Sequence, residues 1–259
     1  MSGQLLTERL GHTLVLTISN PGARNALGPT MYSAAVEALD SAARDPEVRV
    51  VVLTGEGNTF CAGGNLNRLL DNRSKEPSVQ AASIEALHQW TEALRAFPKP
   101  VIAAVEGPAA GAGFSLVLAC DLVVAASDAK FVMAYVRVGL TPDGGGSWHL
   151  ARALPRALAT EVLIEGKPID APRLAQFGLV NRVVPPGQAR TEALAWAEDL
   201  AALAPNSVTR IKGLISHAEE APLPTHLEKE RDNFIGSLFH ADGLEGISAF
   251  LEKRKPVYR

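Results

Sequence analysis

Asp143 stands immediately before three consecutive glycines in GLTPDGGGSWHLAR, residues 139–152, and an apolar, helix-like run follows it. Two roles suit a carboxylate there. It can cap the helix, for which aspartate is worth about 1 kcal/mol, or it can carry a proton to and from a bound molecule. Two other stretches could supply the complementary half of such chemistry. CAGGN, residues 61–65, follows a strand-like run and precedes a short helix, and GPAAGAG, residues 107–113, follows a strand and opens a helix at about Gly111. Glycine and alanine at a helix start leave electropositive backbone N–H groups uncovered. Two such loops converging on one oxygen make an oxyanion hole. The same glycines could instead do no more than permit tight turns and close helix–strand packing.

Other chemistries find less support. GEGNTF, residues 55–60, begins like a dinucleotide fingerprint but has Phe60 where the third glycine belongs. GPAAGAGFS lacks the Lys-Ser/Thr ending of a phosphate loop, and Val117 occupies the glycine position that a nucleophile elbow around Ser115 would need. The six histidines (12, 88, 149, 217, 226 and 240) show no paired metal-ligand spacing, and the two cysteines, Cys61 and Cys120, lie far apart, so no metal site is expected. Glu106, after an apolar strand, could line a site. Asp121 reads as a turn or cap residue, and His149 as a packed or surface imidazole.

These residues need elements to hold them. TLVLTIS (13–19) alternates as a strand, and VRVVVLTG (48–55) is a nearly continuous apolar run, as a strand buried on both faces should be. Residues 27–45 carry apolar groups at helical spacing, DNRSKEPSVQ (71–80) reads as a mobile loop, and a helix is expected from about Val79 to Phe97. KPVIAAVEG and DLVVAA add two more strands. Beyond Pro142 the pattern is helical at 146–153, 157–165, 171–177, 190–204, 206–218, 225–239 and 242–254, interrupted by the short strand LVNRVV. The expectation is an α/β core over residues 1–190 and a helical region over 191–259.

The chain has 259 residues, of which 47% are apolar and 20% charged, and a net charge of −3, enough for a real core and without a basic surface for nucleic acid. Its longest apolar run, near GFSLVLAC, stops at Asp121, short of the ~20 residues a membrane span needs. MSGQLLTERL shows no basic region followed by an apolar one. Reduced thiols and a cytoplasmic location are therefore expected, with neither membrane nor nucleic acid as partner.

NPGARNAL (20–27), GEGNTFCAGGNL (55–66), KPVIAAVEGPAAGAGFSLVLACDLVVAASDAKF (99–131), GLTPDGGGSWHLAR (139–152), FGLVNRVV (177–184) and a closing AFLEKRKPVY closely resemble the crotonase, or enoyl-CoA hydratase/isomerase, superfamily. They do so in its order and spacing over nearly the whole chain. AAGAGxxLxLACD and GLxPDxGGxW look most like its 1,2-epoxyphenylacetyl-CoA isomerase branch. The resemblance implies a ββα spiral core, a C-terminal helical region that forms a homotrimer or homohexamer, and an acyl-CoA thioester substrate. Coenzyme A is then part of the substrate and no separate cofactor is implied.

Carried over residue by residue, the resemblance makes Gly64 and Ala112 the oxyanion donors. It runs Ala62 along the adenine and pantetheine and brings Arg24 toward the CoA phosphates, where a guanidinium suits the charge. Gly63, Leu66, Gly111, Tyr135 and Trp148 complete the substrate-binding set, Trp148 as apolar wall. Three departures matter. The two glutamates of typical hydratases align with Ser115 and Tyr135, neither of which replaces a carboxylate base, since an ordinary tyrosine titrates near ~10. Asn65 takes the place of a usual aspartate. Asp143 falls where branches lacking both glutamates keep their single catalytic carboxylate, and the glycines after it would let substrate approach closely. An isomerase that shuttles a proton on an enolate is the reading preferred. Hydratase and hydrolase readings are the alternatives, and an inert CoA-binding subunit is the reading from another class.

Overall fold

The computed structural model describes residues 3–258 and turns the apolar run Thr13–Ser19 (β2) into a central strand buried on both faces. Before it comes an edge strand, β1 (Gln4–Leu10), antiparallel to β2. Its mostly exposed side chains give it no clean alternation, so its sequence does not announce a strand. From β2 the sheet runs through β3 (Val50–Gly55), β4 (Val101–Val105), β6 (Leu122–Ala126) and β9 (Arg182–Val184), all parallel. A second sheet of three short strands, β5 (Pro108–Ala110), β7 (Lys130–Val132) and β8 (Ile169–Asp170), stands beside it. β4 leads to β5 and β6 to β7, so successive turns of the chain leave one strand in each sheet. Together with the helices that follow each turn, this is the α/β spiral that the resemblance implies.

Helices cover both faces of the large sheet. On one face, α1 (Pro29–Arg44), α3 (Pro77–Ala96) and α4 (Ala112–Ala119) bury Met31, Leu39, Trp90, Leu94 and Phe114 against Leu16, Ile18, Leu53 and Ala103. On the other lies α8 (Ala189–Ala201), whose Ala189, Ala193, Ala197 and Ala201 repeat every four residues and sit on Val50, Val52, Ile102 and Val124. Four alanines on one stripe let the helix axis come close to the sheet. α8 therefore packs on the core, although it begins where the helical region was expected to start at 191. The helices that leave the core are α9 (Pro205–Ala218), α10 (Leu223–Leu238) and α11 (Ala241–Leu251). None of the described helices is long and apolar enough to cross a membrane.

One region differs from expectation. The segment 71–80 is not a loop throughout. Residues Leu66–Asn72 form α2, α3 starts at Pro77, and Asn72 Nδ2 donates to Gln80 Oε1 across 2.9 Å to bridge the turn. Its exposed polar residues Arg73, Ser74, Lys75 and Glu76 form the short connection between the two helices, while Asn72 is buried. After β7, a 3-10 turn (Ala134–Val138) precedes α5 (Gly146–Ala153), α6 (Arg156–Glu165) and α7 (Ala171–Ala175).

Candidate active site

The two glycine-rich loops meet. Cys61 N–H donates to the carbonyl of Pro108 (3.1 Å), and Ala110 N–H donates back to that of Cys61 (2.8 Å), so CAGGN lies alongside the junction of β5 and α4. Gly63 sits at φ +87°, and a Cβ there would stand 2.7 Å from Ala110 O and 3.5 Å from Ala112 N. Only glycine allows both that backbone angle and that approach. Among the described residues, the amides of Gly64 and Ala112 donate to no carbonyl or side chain. Ala112 opens α4 behind Gly111 (φ +52°), and no side chain caps the helix. The loops thus bring two unspent, electropositive amides to one wall, the arrangement an oxyanion needs.

Asp143 does not cap α5. The N-cap of that helix is Gly145, in the left-handed region at φ +80°, with no side chain bonded to the helix start. The Asp143 carboxylate instead accepts the Tyr135 hydroxyl proton at Oδ1 across 2.5 Å, and Ser115 Oγ donates to the Asp143 carbonyl across 2.9 Å. Ser115 and Tyr135, the two positions that the resemblance aligns with glutamates, therefore both hold Asp143. Burial, and then the charge of Asp143, push the Tyr135 hydroxyl above its ordinary range, so it stays a donor and cannot serve as a base near neutrality. The glycines after Asp143 serve packing and leave no opening for substrate. A Cβ at Gly144 would press on Ser115 Cβ at 3.1 Å, and one at Gly146 on Ser115 Oγ at 2.7 Å.

These groups line a cavity of about 630 Å3, floored by the two loops, walled on one side by Tyr135 and Asp143 and on the other by α2 and α3. Gly64, Ala112, Ala62, Gly63, Gly111, Leu66, Tyr135 and Asp143 all border it. Arg24 touches this region through its backbone, accepting Ala62 N–H at 3.0 Å, and its side chain is exposed outside the lining. Trp148 is elsewhere. Gly146, His149 and Leu150 form the buried face of α5, and Trp148 sits off that face between the guanidiniums of Arg95 and Arg152, 4.3 and 3.9 Å from its ring centroid. It lines a separate cavity of about 330 Å3 with His149 and Lys212.

The other candidates have structural duties. Glu106 accepts the N–H groups of Gly187 and Ala189 at the start of α8. Asp121 accepts from Val101 N–H and from Lys212 Nζ, tying α9 to the core. Asn65 caps α2 by accepting Arg68 N–H at 3.2 Å, which is the role left to it by the missing aspartate. Burial pushes the Cys61 thiol up to about 12, and it accepts Gly63 N–H inside the loop. Among the described residues, no three His, Cys, Asp or Glu side chains gather as metal ligands.

The sequence reading missed Tyr32, Arg68 and Ser83. Arg68 donates to Ser83 Oγ at 3.0 Å and to Tyr32 Oη at 3.4 Å, and all three residues line the cavity. The available signal was one arginine within LNRLL, a stretch otherwise suited to an apolar helix face.

The geometry agrees with what the chain is similar to. The profile of the enoyl-CoA hydratase/isomerase family matches residues 9–259. The 1,2-epoxyphenylacetyl-CoA isomerase of Escherichia coli is 37% identical over 95% of this chain and 94% of its own. The 2,3-dehydroadipyl-CoA hydratase of the same organism is 36% identical, over 99% and 98%. A crystal structure of an enoyl-CoA hydratase from Polaromonas sp. JS666 superimposes with a TM-score of 0.98 at 59% identity, covering 99% of this chain and 100% of that one.

Proposed function

The chain belongs to the enoyl-CoA hydratase/isomerase family and is an acyl-CoA enzyme of it, and from that premise we propose that its reaction is an isomerisation carried by Asp143. The supporting observation is that Asp143 is the single carboxylate among the described residues lining the cavity, with the glutamate positions of typical hydratases filled by Ser115 and Tyr135.

The proposed sequence needs only these groups. A thioester oxygen accepts the Gly64 and Ala112 amides. An oxygen of Asp143 removes a proton from a carbon made acidic by the thioester, and the electron pair moves onto the held oxygen as an enolate. The same carboxyl, now protonated, returns the proton to a different carbon, and the double bond shifts. With an epoxide at the β-carbon, the enolate would instead expel the ring oxygen as the α,β double bond forms, and the protonated carboxyl would give its proton to that oxygen. Tyr135 holds Oδ1, which leaves the second oxygen for the substrate. Proton transfer of this kind on a thioester calls for no cofactor beyond the coenzyme A of the substrate, with Arg24, Ala62, Gly63, Leu66 and Gly111 along its path. Acyl groups from fatty-acid or aromatic-acid breakdown are the substrates in view.

The second reading is hydration of a 2-enoyl-CoA, favoured by the hydratase relative described above. It demands that one carboxylate both activate water and protonate the α-carbon. Offering a 3-enoyl-CoA and a 2-enoyl-CoA to the protein, and following double-bond position against water addition, separates the two.

The reading extends to assembly. Phe234, Phe239, Leu244 and Phe250 are exposed on α10, on α11 and between them, and apolar groups in that density belong to an interface. A homotrimer or homohexamer built through this region is the proposed state, tested by light-scattering mass.

A further inference from the structure

Arg68 is a cation without an anion. Among the described residues, no acid lies within ion-pair distance of its guanidinium. Its two recorded side-chain acceptors, Ser83 Oγ and Tyr32 Oη, are neutral, and its Nε is buried with no partner at all. Tyr32 is itself nearly sealed, and because it accepts from Arg68, its own hydroxyl proton remains unspent among the described residues. Burial raises the Tyr32 pKa, so that proton stays in place at neutral pH. The two other cations of the wall differ in kind: Arg73 and Lys75 are exposed at the rim, and Lys75 is already paired with Asp71 at 3.0 Å.

A guanidinium cannot shed its charge, and keeping it half-buried without a counter-charge is unfavourable until something supplies one. The cavity's only carboxylate among the described lining residues, Asp143, is bonded to Tyr135. The missing anion must therefore come with the ligand. We infer that Arg68, with Tyr32 and Ser83, forms a subsite for a second carboxylate at the far end of the acyl group, which makes the preferred substrate an acyl-CoA derived from a dicarboxylic acid. The inference rests on the reading of this cavity as an acyl-CoA site. Arg68 supplies the forked donors that match a carboxylate, Tyr32 supplies one more, and Asn65 fixes the helix turn from which Arg68 projects.

The test uses saturated thioesters, so that affinity is read apart from any reaction. Binding of CoA, hexanoyl-CoA and adipoyl-CoA is measured by calorimetry on the wild-type protein and on Arg68→Met, which keeps an apolar stem. The expected result is adipoyl-CoA about tenfold tighter than hexanoyl-CoA in the wild type, with the difference gone in the variant and hexanoyl-CoA little affected. Equal affinities for the two thioesters in the wild type would overturn the inference without any variant. So would a preference that survives in Arg68→Met, or an equal weakening of CoA and both thioesters, which would assign Arg68 to the CoA phosphates. Failure of all three molecules to bind the wild type would overturn the acyl-CoA reading, and this inference with it.

Discussion

The hydroxyl of Tyr135 donates to Oδ1 of Asp143 across 2.5 Å, from a position that the family resemblance aligns with one of the glutamates of a typical hydratase. A position that would hold a second carboxylate holds instead the group that steadies the first. Ser115, at the other glutamate position, does the same through the Asp143 carbonyl at 2.9 Å. Among the described lining residues the site has one acid with two supports. Single-proton chemistry is what such a site suits.

Replacing Tyr135 by phenylalanine should therefore leave the fold intact and lower kcat/KM for isomerisation about 10- to 100-fold, the worth of one hydrogen bond to a charged group. The loss should fall on kcat more than on KM, because the hydroxyl orients a carboxylate that acts in the chemical step. Steady-state kinetics on a 3-enoyl-CoA check it.

Gly63 and Gly64 should respond oppositely to alanine. At Gly63 the backbone is left-handed and a Cβ would stand 2.7 Å from Ala110 O, whereas at Gly64 it would meet nothing within 4 Å. Gly63→Ala should cost about 1–3 kcal/mol and part the two loops, reducing activity as well. Gly64→Ala should stay within about 0.5 kcal/mol of wild type. Urea unfolding of the two variants makes the comparison.

His149 predicts an acid sensitivity. It is buried on α5, and burial first, then the nearby Arg95, hold its pKa down to about 4 from its ordinary 6.5. Below pH 6.5 the unfolded chain takes up a proton that the folded one refuses, so stability should fall as pH drops from 6.5 to 4. The contribution is about 2 kcal/mol once partial solvent screening is allowed for. His149→Gln, which has no proton to gain, should show a correspondingly flatter stability curve across that window.

Much of the fold is legible in sequence where one element satisfies one rule. Val50–Gly55 and Gly146–Ala153 fall where their patterns put them, because a strand buried on both faces and a helix begun by glycines leave plain signatures. β1, β5, β7 and β8 escape, being either an edge or only two or three residues long, too short to show a period. At the site, the two glycine loops could be named, but whether they touch depends on the pairing of Cys61 with Ala109, which no local pattern contains. At Asp143 the local pattern alone favours a cap and the resemblance favours a proton carrier, and in the fold Gly145 occupies the cap position. Trp148 misled because apolar size says nothing about direction. On a helix, two residues of offset turn a side chain away from its neighbour's face. Arg68 lay hidden because one arginine among the apolar residues of LNRLL reads as the outer face of a short helix.

The central claim is that Asp143 moves a proton between two carbons of an acyl thioester. Its most direct test is incubation of the wild type and of Asp143→Asn with 3-enoyl-CoA and 2-enoyl-CoA in D2O, followed by proton NMR and mass spectrometry. The expected result is double-bond migration with deuterium incorporated at the exchanged carbon, no addition of water, and loss of both migration and exchange in the variant. Hydration that proceeds undiminished in Asp143→Asn would contradict it.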